Sequence, residues 1–120
     1  MSQHGSRIWF FPDGDIPPAG AAEPFGHESL IMLNPGDEEA SVTITVYFED
    51  DEPVVLAPQS VAARRVRCIR ISDPVDGYQI PLGQYALKLE SSVPIVCQLG
   101  RMDVRQPNLA YYTVMGHPAR

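Results

Sequence analysis

The residues able to do chemistry in this chain are polar side chains set inside apolar stretches. His27 and Glu28 open the run His-Glu-Ser-Leu-Ile-Met-Leu, and Gln98 interrupts Val96-Cys97-Gln98-Leu99. Arg101, Asp103 and Arg105 then alternate. In an extended segment such alternate residues share one face. The spacing predicts that Asp103 sits between the two guanidinium groups and holds them. An arginine held that way keeps spare donors in a planar fork, which suits a carboxylate, a phosphate or vicinal hydroxyls. The same three residues would equally make a structural ion-pair ladder. His27 and Glu28 read either as a satisfied pair at a strand end or as part of a site. Trp9 reads as core or interface, or as a stacking platform for a sugar or ring. There is no Gly-rich phosphate loop, no nucleophile elbow, and no His-x-x-x-His or Cys-x-x-Cys pair. These residues favour binding over catalysis, with no catalytic residue, metal or cofactor expected.

Composition sets the limits on that reading. The 120 residues fit one domain, spanning 1–120, and 44% hydrophobic with 20% charged residues is ordinary for a globular chain. Twelve Pro and nine Gly favour many short elements and turns. The net charge of −6 opposes a phosphate backbone at long range, so nucleic acid is an unfavoured partner. The start Met-Ser-Gln-His-Gly-Ser-Arg carries no apolar signal core, and no lipidation motif is present. No window approaches the roughly 20 apolar residues of a membrane helix, so the cytoplasm is the expected address. Cys68 and Cys97 match no metal-ligand spacing and read as two reduced, buried cysteines.

The elements that must position these residues read as strands. Arg7 to Phe11 is an aromatic-apolar run stopped by Pro12 and Gly14, and 13–25 reads as a loop. His27 to Leu33 reads as a buried strand, followed by the turn Asn34-Pro35-Gly36-Asp37. Ala40 to Phe48 has the clearest period of two: Val42, Ile44, Val46 and Phe48 against Thr43, Thr45 and Tyr47. The acidic run from Glu49 to Glu52 ends it. Val54 to Leu56 and Ser60 to Ile71 give two more strands, the second carrying Arg64, Arg65, Arg67 and Arg70. DNA binding through that strand is a weak idea, because adjacent Arg64 and Arg65 point to opposite faces. Residues 73–83 read as loop, Tyr85 to Leu89 alternates again, Ser91-Ser92 reads as a turn, and Val93 to Leu99 and Leu109 to Met115 complete the set. About eight short strands with no helical period predict an all-β antiparallel β-sandwich.

A set of residues in order along nearly the whole chain carries a family resemblance. Trp9, Gly14, Ile16 and Pro17 precede His27-Glu28 and the turn Leu33-Asn34-Pro35-Gly36-Asp37. Thr43-Ile44-Thr45-Val46-Tyr47-Phe48, Glu52-Pro53-Val54 and Ala63-Arg64-Arg65 follow, then Val93-Pro94-Ile95-Val96 and Arg101-Met102-Asp103-Val104-Arg105-Gln106. Together they resemble the sensory rhodopsin transducer family. The resemblance implies a compact β-sandwich, a homotetramer and a cytoplasmic protein. It implies a non-enzymatic small-molecule-binding or signal-transducer module, with a sugar or related small polar compound as ligand. Its alternative is an adaptor docking to a membrane photoreceptor through its oligomeric face, and a weaker one is a sugar-modifying enzyme using His27 and Glu28. Carried over, the ligand-binding residues are Trp9, His27, Glu28, Asn34, Gln98, Arg101, Asp103 and Arg105. Gly26 stands where the family pattern leads one to expect Ser, which removes one hydroxyl from the expected site. The tail beyond Thr113 matches no part of the pattern.

Overall fold

The computed structural model describes residues 4–119; the readings made on Met1 to Gln3 and on Arg120 fall outside the described residues. Among the described residues there are nine strands and no helix: β1 (Ser6–Ile16), β2 (His27–Asn34), β3 (Ala40–Tyr47), β4 (Val54–Val55), β5 (Gln59–Val61), β6 (Arg65–Ile69), β7 (Gly83–Asp103), β8 (Ala110–Met115) and β9 (His117–Ala119). All pairings are antiparallel. In the first layer, β4 and β5 edge β3, then come the first half of β7, β1 and β9. In the second layer, β6 and β2 lead to the second half of β7 and then β8. This is an all-β architecture consistent with a β-sandwich, as the strand pattern predicts.

β3 shows why these residues fold this way. Its alternate Ala40, Val42, Ile44 and Val46 are fully buried, while Thr43 and Thr45 face outward. The β-branched side chains fit a pleated, half-buried surface. Opposite them, Leu87 and Leu89 of β7 bury the same way, and Leu30, Met32 and Leu99 close the core from the other layer.

Four local expectations are corrected. β1 does not stop at Pro12: a register shift between Phe11 and Gly14 carries it on to Ile16. The bulge absorbs Pro12, which cannot donate to the ladder, and changes the inward parity from Trp9 and Phe11 to Gly14 and Ile16. Residues 60–71 are not one strand. Arg64 adopts φ 54°, which breaks the run into β5 on the first layer and β6 on the second. Ser91-Ser92 is not a turn but lies inside the 21-residue β7. Each half of β7 has ladder partners on both sides, β1 and β3 then β2 and β8, and such pairing overrides local turn preference. Cys97 is buried but Cys68 is exposed, because β6 lies at an edge and turns Cys68 outward opposite Ile31; both thiols are free.

Candidate functional site

The alternation of β2 turns Glu28, Leu30, Met32 and Asn34 inward, all of them fully buried. The register with β7 sets Glu28 directly opposite Arg101, at one end of the core. Arg101 Nε donates to Glu28 Oε2 at 2.8 Å. Its Nη2 donates to the Asp13 carbonyl oxygen at 2.6 Å, and its Nη1 to the Tyr112 hydroxyl at 3.1 Å. The guanidinium carbon also lies 5.3 Å from the centre of the Tyr112 ring. The Tyr85 hydroxyl donates to Glu28 Oε1, and the Asp15 amide donates to the same oxygen at 3.2 Å. One carboxylate therefore ties β2 to β1 and to both halves of β7.

The electrostatics follow from burial. Loss of solvent pushes the Glu28 carboxyl above its ordinary value, against the opposing pull of the Tyr85 hydroxyl and Arg101. Burial, reinforced by the Glu28 charge, pushes the Tyr85 phenol well above its usual range. Among the described residues no buried side-chain nitrogen or oxygen lacks a hydrogen-bond partner. Arg101 is thus held by Glu28 with its fork engaged by protein atoms, rather than presented by Asp103.

Asp103 instead holds Arg105. Its Oδ1 accepts from the Arg105 amide and from Nε, each at 3.0 Å, and its Oδ2 accepts from Nη2 at 2.7 Å. Those donors hold the Asp103 carboxyl down at about 2. Asp15 lies 3.6 Å from the same guanidinium. This pair sits at the rim above the buried network and is the exposed part of the cluster.

The remaining four of the eight expected ligand residues lie elsewhere. His27 faces the outer side of its sheet, opposite Met102, with Nδ1 2.9 Å from the Phe25 carbonyl oxygen. Adjacent strand residues point to opposite faces, so His27 and Glu28 do not form an acid–base pair. Asn34, at the far end of β2, donates to the carbonyls of Glu38 and Val61 at 2.7 and 3.1 Å and accepts from the Gly36 amide at 3.1 Å. It fixes the turn into β3. Trp9 donates through Nε1 to the carbonyls of Ser6 and Ile95 at 3.0 and 2.9 Å. Gln98 is exposed on the outer face, opposite Ile31 and Met115. The eight residues therefore do not converge on one cavity: Glu28, Arg101, Asp103 and Arg105 gather at one end, and Trp9 and Gln98 meet at another place.

That place is a groove of about 570 Å³ on the outer side of the β6-β2-β7-β8 sheet, walled mainly by Trp9, Ile31, Leu33, Val66, Val96 and Met115. Leu33, Val66, Val96 and Met115 are between 41% and 76% exposed. Sequence reasoning missed this face because Leu33 and Val96 read as core. It also missed Tyr85, Tyr112, Asp13 and Asp15, which carry no local signal and reach the network only through strand pairing. Among the described residues no group of three or more His, Cys, Asp or Glu is placed to hold a metal ion, and no helix is long and apolar enough to cross a membrane.

A two-layer antiparallel fold with a saturated internal ion pair and an exposed apolar face defines a small all-β module. The chain belongs to the Anabaena sensory rhodopsin transducer family, whose model matches residues 4–118. Among solved structures it is similar to Thermotoga maritima 1070, with 37% identity, a TM-score of 0.85 and coverage of 98% of this chain and 97% of that one. It is also similar to the Anabaena sensory rhodopsin transducer, with 41% identity, a TM-score of 0.73 and coverage of 89% and 96%. No curated protein matches the chain.

Proposed function

We propose that this protein is a non-enzymatic, cytoplasmic signal transducer that works through protein contact on the outer face of the β6-β2-β7-β8 sheet. The observation that carries this reading is the exposed apolar set Leu33, Val66, Val96 and Met115, which line one groove on one sheet face. Contiguous apolar surface of this kind marks an interaction site. A family relative is by its name a transducer of a sensory rhodopsin, so a membrane photoreceptor of that class is the partner to test. The same face is where copies of this chain would meet in the homotetramer the family resemblance implies. Titration of the protein against a sensory rhodopsin in lipid nanodiscs, followed by calorimetry, is expected to give saturable binding. Met115→Glu is expected to weaken it at least about tenfold, or about 1.4 kcal/mol. Binding that ignores Met115→Glu removes the face from the reading, and absence of binding removes the photoreceptor.

A second reading keeps a small ligand. Trp9 and Gln98 line one groove, which offers apolar side chains and an amide to a compound with an apolar side and one polar group. Glu28 and Arg101 are engaged internally, so a sugar held by them is the less supported form of this idea. A thermal-shift screen with sugars, sugar acids and flat aromatic compounds tests it. A ligand at 100 times its Kd stabilises by about 2.7 kcal/mol, and a shift that survives Gln98→Ala would place the ligand outside the groove.

A further inference from the structure

Four of the nine basic residues of this acidic chain fall within residues 64–70: Arg64, Arg65, Arg67 and Arg70. They lie on and beside β6, which among the described residues has only β2 as a ladder partner. The opposite edge of β6 is open, and every residue from Arg65 to Cys68 is exposed. Half of the backbone N–H and C=O groups of such a strand point away from its neighbour and can pair with an incoming chain. Arg64 reaches Asp37 at 3.4 Å, with both side chains more than 70% exposed. A pair that exposed is worth little. Arg65 donates only to the Arg64 carbonyl. Arg67 crosses to the first layer and donates to the Ser60 carbonyl at 2.8 Å and to Gln59 Oε1 at 3.1 Å. Arg65, Arg67 and Arg70 form no ion pair with a carboxylate among the described residues.

We propose that the open edge of β6 is a docking rail for an extended acidic segment of a partner protein, which adds to the sheet as a strand. Main-chain hydrogen bonds would supply affinity, and the arginines would select carboxylates. Arg65 and Arg67 stand two residues apart on one side of the strand, which matches acidic residues at alternate positions of a paired strand. A second copy of this chain is a poor occupant, because β6 against β6 would crowd the four arginines of each copy into one seam. A long polyanion is also poor. It would meet the −6 charge of the whole molecule, whereas a short acidic strand meets only the local positive edge. The rail stands on β6 alone and does not require that a photoreceptor bind elsewhere.

The test uses the full chain and a labelled peptide of about seven residues alternating Glu and Val, long enough to span the edge. Fluorescence anisotropy is expected to show saturable binding. An Arg65→Glu, Arg70→Glu double variant, its fold checked by circular dichroism, is expected to lose at least about tenfold in affinity. Arg67 is kept because it ties β6 to β5. A peptide of the same charge with alternate backbone nitrogens methylated is expected not to bind, and hydrogen exchange is expected to slow at β6 amides with the unmodified peptide. No saturable binding would mean that the arginines only guard the edge, and overturns the proposal. Equal binding of the methylated peptide, or tighter binding of duplex DNA at the same salt, overturns it as well.

Discussion

At the scale of single residues, the cost of Glu28 and Arg101 is set by their burial. Neither stands in water, so each depends on the other for charge compensation. Glu28→Gln keeps the shape but leaves the guanidinium with no anion beneath it. Breaking a buried pair from one side typically costs about 3–5 kcal/mol. Urea denaturation is expected to show a loss in that range, and Glu28→Leu with Arg101→Met is expected to cost less than the two single changes added. A loss below about 1 kcal/mol for Glu28→Gln would show that the pair contributes nothing. The Asp103 carboxyl at the rim sets a pH dependence of its own. Asp103 is held at about 2 against an ordinary 3.8, so its contribution is present above 3.8 and is lost as pH falls toward 2. Asp103→Asn is expected to flatten the acid limb of the stability curve between those two values, and an unchanged limb would show that the Arg105 contact adds no stability.

At the scale of elements, the link between β1 and β2 is the tightest fit. A Cβ at Gly26 would lie 2.1 Å from the Pro18 carbonyl oxygen, and the Gly26 amide donates to Ala19 at 2.8 Å. The missing hydroxyl at position 26 therefore has a steric cause in this chain: the backbone of the preceding loop occupies the space. Gly26→Ser is expected to destabilise by about 1–3 kcal/mol, as overpacking does, read as a drop in Tm. An unchanged Tm would show that the loop yields freely. Within β1, Phe11 is fully buried and its ring stands 6.4 Å from that of Trp9. Phe11→Ala is expected to cost about 3–5 kcal/mol.

At the scale of the whole molecule, net charge and apolar surface act over different ranges. The acidic total of fifteen against nine basic residues keeps copies apart at long range, while the outer face of the β6-β2-β7-β8 sheet favours contact at short range. Assembly through that face is expected to strengthen with added salt, because screening weakens the repulsion and leaves the apolar contact. Sedimentation velocity of the wild type and of Val96→Glu with Met115→Glu tests this. The wild type is expected to sediment as an oligomer and the double variant as a monomer. An oligomer untouched by the double variant would place the interface elsewhere.

The strand class and most strand positions were legible because a period of two and β-branched residues are local properties, as at Val42, Ile44 and Val46. The sandwich and the family followed from residues spread along the chain. Pairing was not legible. Glu28 finds Arg101 across 73 residues of sequence, and no spacing rule marks that distance. Arg101, Asp103 and Arg105 looked like one unit because alternation was all the sequence offered; the register of β2 on β7 gave Arg101 to Glu28 and left Asp103 for Arg105. Leu33 and Val96 looked like core because hydrophobicity alone does not say which face of a sheet is covered. Local pattern fixes which side chains share a face. Only the stacking of one layer on another decides which face is dry, and so which polar groups must find each other and which apolar ones are left for a partner.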